Sequence, residues 1–161
     1  MLTYRKLGEQ DCAAVQGVVI DCPPLTLHTP YTYWVILSRS AELCIGAFER
    51  ENLIGMALAI PTLERRAFVW QIGVRPQFRG LHIGRHLLER IWQAAEQAGL
   101  GSLETTIGRD NEASAATFSG FARANDLNFR AIADATSRDA NESLVDREVE
   151  YRLDPPDKAR G

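Results

Sequence analysis

Apolar residues recur along this chain in two rhythms, one alternating over short runs and one spaced by three or four, which separate strands from helices. The clearest helix begins at 83, with Ile83, Leu87, Leu88, Ile91, Trp92 and Ala95 at helical intervals and Gly99 as its stop. Upstream, the pattern predicts a strand over 2–7. A helix capped by Asp11 follows to about 20, with Ala14, Val15, Val18 and Val19 inward, until Cys22-Pro23-Pro24 stops it. A loop over 25–29 leads to a helix that opens on Pro30 and runs through Tyr31, Trp34, Val35 and Leu37. Strands over 43–49 and 53–60 form a hairpin, and a long strand follows over 67–75. Past the central helix come a strand over 103–107 and a helix capped by Asp110 or Asn111 that runs through Phe118 and Phe121 to about 125. Late strands are predicted over 128–133 and 147–153, and a disordered tail over 154–161. The order β-α-α-β-β-β-α-β-α-β-β describes one α/β domain, 1–153, with a mixed sheet in which a long strand feeds a crossover helix and a parallel neighbour.

The segment from Phe68 to Gly84 is the most informative. A strand passes through a basic, glycine-containing turn directly into an amphipathic helix. The start of such a helix aims unpaired N–H groups and the positive end of its dipole at one spot, which suits a pyrophosphate. A dinucleotide fingerprint needs Gly-x-Gly-x-x-Gly after the first strand, and a Walker loop needs Gly-Lys-Ser/Thr; neither occurs here. What stands at the turn is Arg79-Gly80-Leu81-His82-Ile83-Gly84.

That turn resembles the Arg/Gln-x-x-Gly-x-Gly/Ala acyl-CoA loop of the GNAT N-acetyltransferases, with His82 replacing one glycine. The resemblance implies the GNAT fold: a mixed, mostly antiparallel sheet of about seven strands with one parallel pair, flanked by helices. It implies acetyl-CoA as co-substrate, held at Arg79, Gly80, Leu81, His82, Ile83, Gly84 and Arg85. An acyl-pantetheine arm would pair with the backbone of Ile72 and Val74. Asn111 and Ser114 would reach the pantetheine or the reaction centre, with a plain helix cap as an equal alternative. Histidine enters positive φ more readily than most residues, so the turn tolerates His82.

Composition narrows the partners. The 161 residues carry a net charge of −3 and no basic run, which argues against nucleic acid. Cys12, Cys22 and Cys44 lack Cys-x-x-Cys spacing, so reduced thiols and no metal are expected. There is no apolar signal core and no stretch of membrane-spanning length, so a cytoplasmic location without membrane contact is expected.

Acetylating an amine requires that its proton be removed. A lysine-like amine is neutral in only about one molecule per thousand near pH 7, a deficit of roughly 4 kcal/mol. Glu104, in mid-strand beside the cofactor strand, is the candidate catalytic acceptor; the competing assignment is a carboxylate paired with a nearby arginine. Trp70, expected on one face with Phe68, Ile72 and Val74, is either core or a π-surface for a cationic substrate. Gly73, off that face, is expected to mark a bulge or a close backbone approach.

Four further segments sharpen the resemblance: Cys22-Pro23-Pro24-Leu25, Tyr31-Thr32-Tyr33, Phe68-Val69-Trp70-Gln71, and Leu103-Glu104-Thr105-Thr106 leading to Asp110-Asn111-Glu112-Ala113-Ser114. Together they are similar to the L-2,4-diaminobutyrate acetyltransferases of ectoine synthesis over roughly residues 3 to 153. This implies a homodimer that acetylates the γ-amine of diaminobutyrate on the way to a compatible solute. It also implies substrate contacts at Trp70, Glu104, Thr26, Thr29 and Tyr33. The loop departs from that family's Leu-Asp-x-Asn-Ser, since Leu25 is followed by Thr26, Leu27, His28 and Thr29. The hydroxyl at Thr29 is kept and an acid at Thr26 is lost. Phe118 stands where many GNAT relatives carry a tyrosine that protonates the thiolate. Alternatives are a GNAT enzyme for another small amine, a polyamine or an amino acid, and a non-catalytic acyl-CoA-binding module.

Overall fold

The computed structural model describes residues 1–157. Seven strands form one sheet: β1 (Leu2–Lys6), β2 (Cys44–Glu49), β3 (Asn52–Pro61), β4 (Ala67–Val74), β5 (Leu103–Gly108), β6 (Asn128–Arg138) and β7 (Leu144–Asp154). Their spatial order is β1-β2-β3-β4-β5-β7-β6. Every neighbouring pair is antiparallel except β4 and β5. That one parallel pair requires a crossover, supplied by helix α3 (Ile83–Gln97). The other helices are α1 (Cys12–Asp21), α2 (Pro30–Arg39) and α4 (Glu112–Ala124).

Two apolar layers sandwich the sheet. On one face Ile83, Leu87, Leu88 and Ile91 of α3 and Phe118 and Phe121 of α4 pack onto Ala57, Val69, Leu103 and Ile107. On the other, Val15, Val18 and Val19 of α1 and Tyr33 and Leu37 of α2 pack onto Met56 and Leu58. The periodic spacing in α3 is what buries its apolar stripe while Arg85, Glu89 and Arg90 stay at the margin.

Helix α2 forms as expected from Pro30; it buries Tyr33 and Leu37, and Tyr31 is exposed and stacks on Trp34. Other expectations shift. Asp11 precedes α1 without capping it; its carboxylate is bound instead by Arg5 and the Gly8 N–H. The late hairpin is much longer than its apolar alternation suggested, because the polar residues beyond Ala133 pair across β6 and β7 despite being exposed. The segment expected as a tail begins with Asp154, which belongs to β7 and bonds Arg130; residues 158–161 lie outside the described range.

Candidate active site

The site originates in a fault in the β3–β4 ladder. Leu58 pairs with Gln71 and Ala59 with Val69, so Trp70 is an extra residue on β4, a β-bulge. The extra residue reverses the alternation beyond it. Trp70 faces the α1/α2 layer, while Ile72 and Val74 turn toward the α3/α4 layer. Trp70 therefore does not share a face with Ile72 and Val74, contrary to the simple period-two expectation. Gly73 is not the bulge. It marks a close approach: a Cβ there would lie 2.9 Å from Leu25 Cδ1 and 3.3 Å from Cys22 Cβ, so glycine lets the double-proline segment cross β4.

Beyond the bulge the parallel pair parts. β5 registers with β4 only at Ala67–Leu103, Phe68–Glu104 and Val69–Thr105. Ile72 and Val74 thus lie in a stretch of β4 that β5 no longer borders, leaving a notch between the strands. At its far end is the turn into α3. Gly80 has φ +83 and His82 φ +58, so His82 does adopt the left-handed conformation as the residue preceding the helix. No side chain caps α3 and no acid occupies its first turn, so its leading N–H groups and dipole are uncompensated. Arg79 and Arg85 flank this end; Arg79 Nε donates to the Val74 carbonyl at 3.2 Å, and Arg85 pairs with Glu89 at 3.5 Å. Leu81 is exposed and Ile83 is core. Gly84 serves packing: a Cβ there would lie 3.0 Å from Thr117 Cγ2 of α4.

The α1/α2 side of the notch is walled by aromatics. Trp70 lies 4.9 Å from the His28 ring and 5.7 Å from that of Tyr33, between centroids. Tyr33 is fully buried, and its hydroxyl donates to Gln71 Oε1 at 3.1 Å while accepting from the His28 N–H at 3.3 Å. Gln71 in turn donates from Nε2 to the Thr26 carbonyl at 2.9 Å. Thr26 thereby meets the site through its backbone, and the Thr29 hydroxyl caps α2 by accepting from the Thr32 N–H. Gln71 was missed in the sequence; the signal was available, as a polar residue inside an otherwise apolar strand.

Glu104 is 7% exposed and on the same face as Trp70, opposite the buried Leu103 and Ile107. Its Oε1 is paired with Arg66 Nη1 at 3.1 Å and Arg152 Nε at 3.5 Å. The arginine pairing foreseen as its alternative assignment is therefore present, doubly. Neither arginine was legible as a site residue, because Arg66 reaches Glu104 from the turn before β4 and Arg152 from β7. Asn111 caps α4 by accepting from the Ser114 N–H at 3.1 Å, and it lines a cleft of about 520 Å³ with Pro24, Gly108, Arg109, Asp110 and Arg147. Phe118 is core. The structure thus gathers Trp70, Tyr33 and the 25–29 loop on one wall, Glu104 on β5 beside them, and the α3 turn at the mouth.

Residues 13–121 match the acetyltransferase (GNAT) family. Among curated proteins, the L-2,4-diaminobutyric acid acetyltransferase of Bordetella parapertussis is 37% identical over 73% of this chain and 65% of its own length. That of Halalkalibacterium halodurans is 32% identical over 76% of this chain and 65% of its own. The chain thus matches somewhat under two thirds of the length of these relatives. Among solved structures, the diaminobutyrate acetyltransferase EctA from Paenibacillus lautus, in complex with L-2,4-diaminobutyric acid and coenzyme A, superposes with a TM-score of 0.83, covering 100% of this chain and 99% of that one at 22% identity. The ribosomal-protein-S18-alanine N-acetyltransferase from Escherichia coli gives a TM-score of 0.73 over 100% of this chain and 99% of its own, at 15% identity. At those identities the superpositions establish the shared fold.

Proposed function

The chain belongs to the acetyltransferase (GNAT) family, and from that premise we propose that it transfers an acetyl group from acetyl-CoA to the γ-amine of L-2,4-diaminobutyrate, a step of ectoine synthesis. The single observation that carries this reading is the notch between β4 and β5, entered beside an uncapped helix and walled by Trp70. A slot of that form takes an extended arm with its diphosphate at the α3 end and its thioester by the bulge. The named relatives support the amine.

In this mechanism the turn from Arg79 to Arg85 grips the diphosphate through backbone N–H groups and guanidinium charge, and Ile72 and Val74 border the pantetheine. Asn111 and Ser114, at the start of α4, flank the arm from the other side of the notch. The amine attacks the thioester carbonyl directly, and N–H groups at the bulge stabilise the tetrahedral oxyanion. The C–N bond forms, the C–S bond breaks, and the amine's proton leaves to a carboxylate or a water it holds. Glu104 holds the ammonium and accepts that proton; both its arginine pairs engage Oε1, which leaves Oε2 for the substrate. Trp70 supplies a π-face to the cation, and Tyr33, Thr26 and Thr29 fix the loop over it.

The reading extends to a homodimer, supported by the outer edge of β6, which is exposed and carries Ile132 at a bulge. It places the protein in the cytoplasm, in keeping with three free cysteines. Among the described residues no helix is long and apolar enough to cross a membrane.

Incubation with acetyl-CoA and L-2,4-diaminobutyrate, followed by fragmentation mass spectrometry, should place the added acetyl on the γ-nitrogen. Absence of that product refutes the reading. Glu104→Gln should lower turnover 10²–10⁴-fold, and near-native turnover would reject its role as base.

A further inference from the structure

The loop over 25–29 lays His28 on Trp70, and its two ends are held in different ways. Within the loop the Thr26 carbonyl accepts from Gln71 on β4. At its root the chain leaves α1 at Asp21 and crosses β4 as Cys22-Pro23-Pro24. The two prolines bring no N–H to that crossing, so side chains must tie it to the sheet.

Arg75, the residue after β4, has the geometry for this. Its N–H donates to the Ile54 carbonyl at 2.8 Å and its carbonyl accepts from the Phe78 N–H at 2.9 Å. Its Nε donates to the Leu53 carbonyl of β3 at 3.0 Å, and its Nη1 pairs with Asp21. The guanidinium lies along α1 to get there. Gly17, one turn before Asp21 on the same face, leaves it room: a Cβ at 17 would lie 3.3 Å from Arg75 Nη2. Glycine inside a helix weakens it, so the space has a cost that the guanidinium accounts for. Asp21 is also the last residue of α1, where the negative end of the dipole favours a cation. Arg79 lies against the next residue: burial pushes the Cys22 thiol up, and Arg79 beside it acts the other way.

We propose that Arg75 is a positioning residue for the acceptor amine, clamping the end of α1 to β3 and β4 and thereby setting how the loop over 25–29 lies on Trp70. The identity of the amine rests on the acetyl-transfer reading; the clamp itself does not. With the clamp loosened, Leu25 is free to leave Gly73 and His28 to lift from Trp70. Ordering the loop then falls to the incoming amine, which raises its KM and spares kcat. The side chains of Arg75 and Asp21 are 24% and 46% exposed, so the effect is moderate.

The test combines kinetics on L-2,4-diaminobutyrate with calorimetric coenzyme A binding and hydrogen exchange. Arg75→Gln should raise the KM for the amine about 5–10-fold, with kcat and coenzyme A affinity within about twofold of native. Asp21→Asn should raise it about 2–5-fold, and the double variant should be no worse than Arg75→Gln alone, since both remove one contact. Arg75→Lys keeps a charge for Asp21 but not the fork that also reaches Leu53, and should recover part of the loss. Exchange at the Leu25 N–H, which donates to the Cys22 carbonyl at 3.0 Å, should quicken about tenfold in Arg75→Gln with no substrate present. A native KM in folded Arg75→Gln, an equal loss of coenzyme A and amine binding, or additive effects in the double variant overturns the clamp. Should Arg75→Gln fail to fold, Asp21→Asn decides in the same way. Native exchange at Leu25 overturns the clamp whatever the substrate, whereas quickened exchange in a protein that does not acetylate diaminobutyrate removes the acetyl-transfer reading alone.

Discussion

Gln71→Leu is the substitution that most directly tests how the site is held. Gln71 is 5% exposed and ties α2 to the loop over 25–29: its Oε1 accepts from Tyr33 and its Nε2 donates to Thr26. Leucine is of similar size but leaves the Tyr33 hydroxyl, in a residue with 0% exposure, without an acceptor. An orphaned buried donor costs about 1–3 kcal/mol, whereas the Thr26 carbonyl, in an exposed residue, turns to water. The single variant should therefore lose about 2 kcal/mol, equivalent to roughly 4–8 °C in Tm for a chain of this size. Tyr33→Phe should lose about 1 kcal/mol. If the two groups serve each other, the double variant Tyr33→Phe/Gln71→Leu has no buried side-chain donor left unpaired, the His28 N–H of an exposed residue turning to water as in Tyr33→Phe alone, and its loss should fall short of the sum by about 1–2 kcal/mol. Urea unfolding of the four proteins measures this cycle. Because the loop carries His28 against Trp70, the KM for the amine should also rise in Gln71→Leu, with coenzyme A affinity unchanged. Additivity within about 0.5 kcal/mol would refute the bridge.

Other outcomes follow from individual contacts. At His82 (φ +58) glycine should preserve coenzyme A affinity, since relief of about 1 kcal/mol of left-handed strain offsets the chain entropy of glycine; valine should weaken calorimetric binding about tenfold. Gly84→Ala should gain little alone, because its Cβ presses on Thr117 Cγ2; in a Thr117→Ser background it should stabilise the protein by about 0.5–1 kcal/mol in thermal melts. The hydrogen bonds from Arg5 hold the Asp11 carboxyl below its ordinary range, against its burial and with help from the Gly8 N–H. A depressed folded-state pKa contributes stability above the unfolded value near 4 and loses it as the pH falls through the folded one. Asp11→Asn should thus cost about 1 kcal/mol at pH 7, a modest figure because Arg5 is half exposed, and the gap should close below about pH 4 in denaturant titrations.

Local chemistry wrote much of this molecule into its sequence. The stripe from Ile83 to Ala95 defined α3, Pro30 and the double proline set the limits of α1 and α2, and the glycine-containing turn before Ile83 marked where the strand passes into that helix. Those features depend on neighbours within a few residues, so a linear reading reaches them. The same holds for the resemblance, whose motifs are short runs. Tertiary structure alone decided which way Trp70 faces, because a bulge is a mismatch between two strands and leaves no mark on either one. It alone brought Arg66 and Arg152 to Glu104, from positions 38 residues upstream and 48 residues downstream. It also showed that Tyr33 supports the loop from within the core. Periodicity records what a residue does relative to its own backbone; which charges meet is set by strand order and register, which arise only when the sheet assembles.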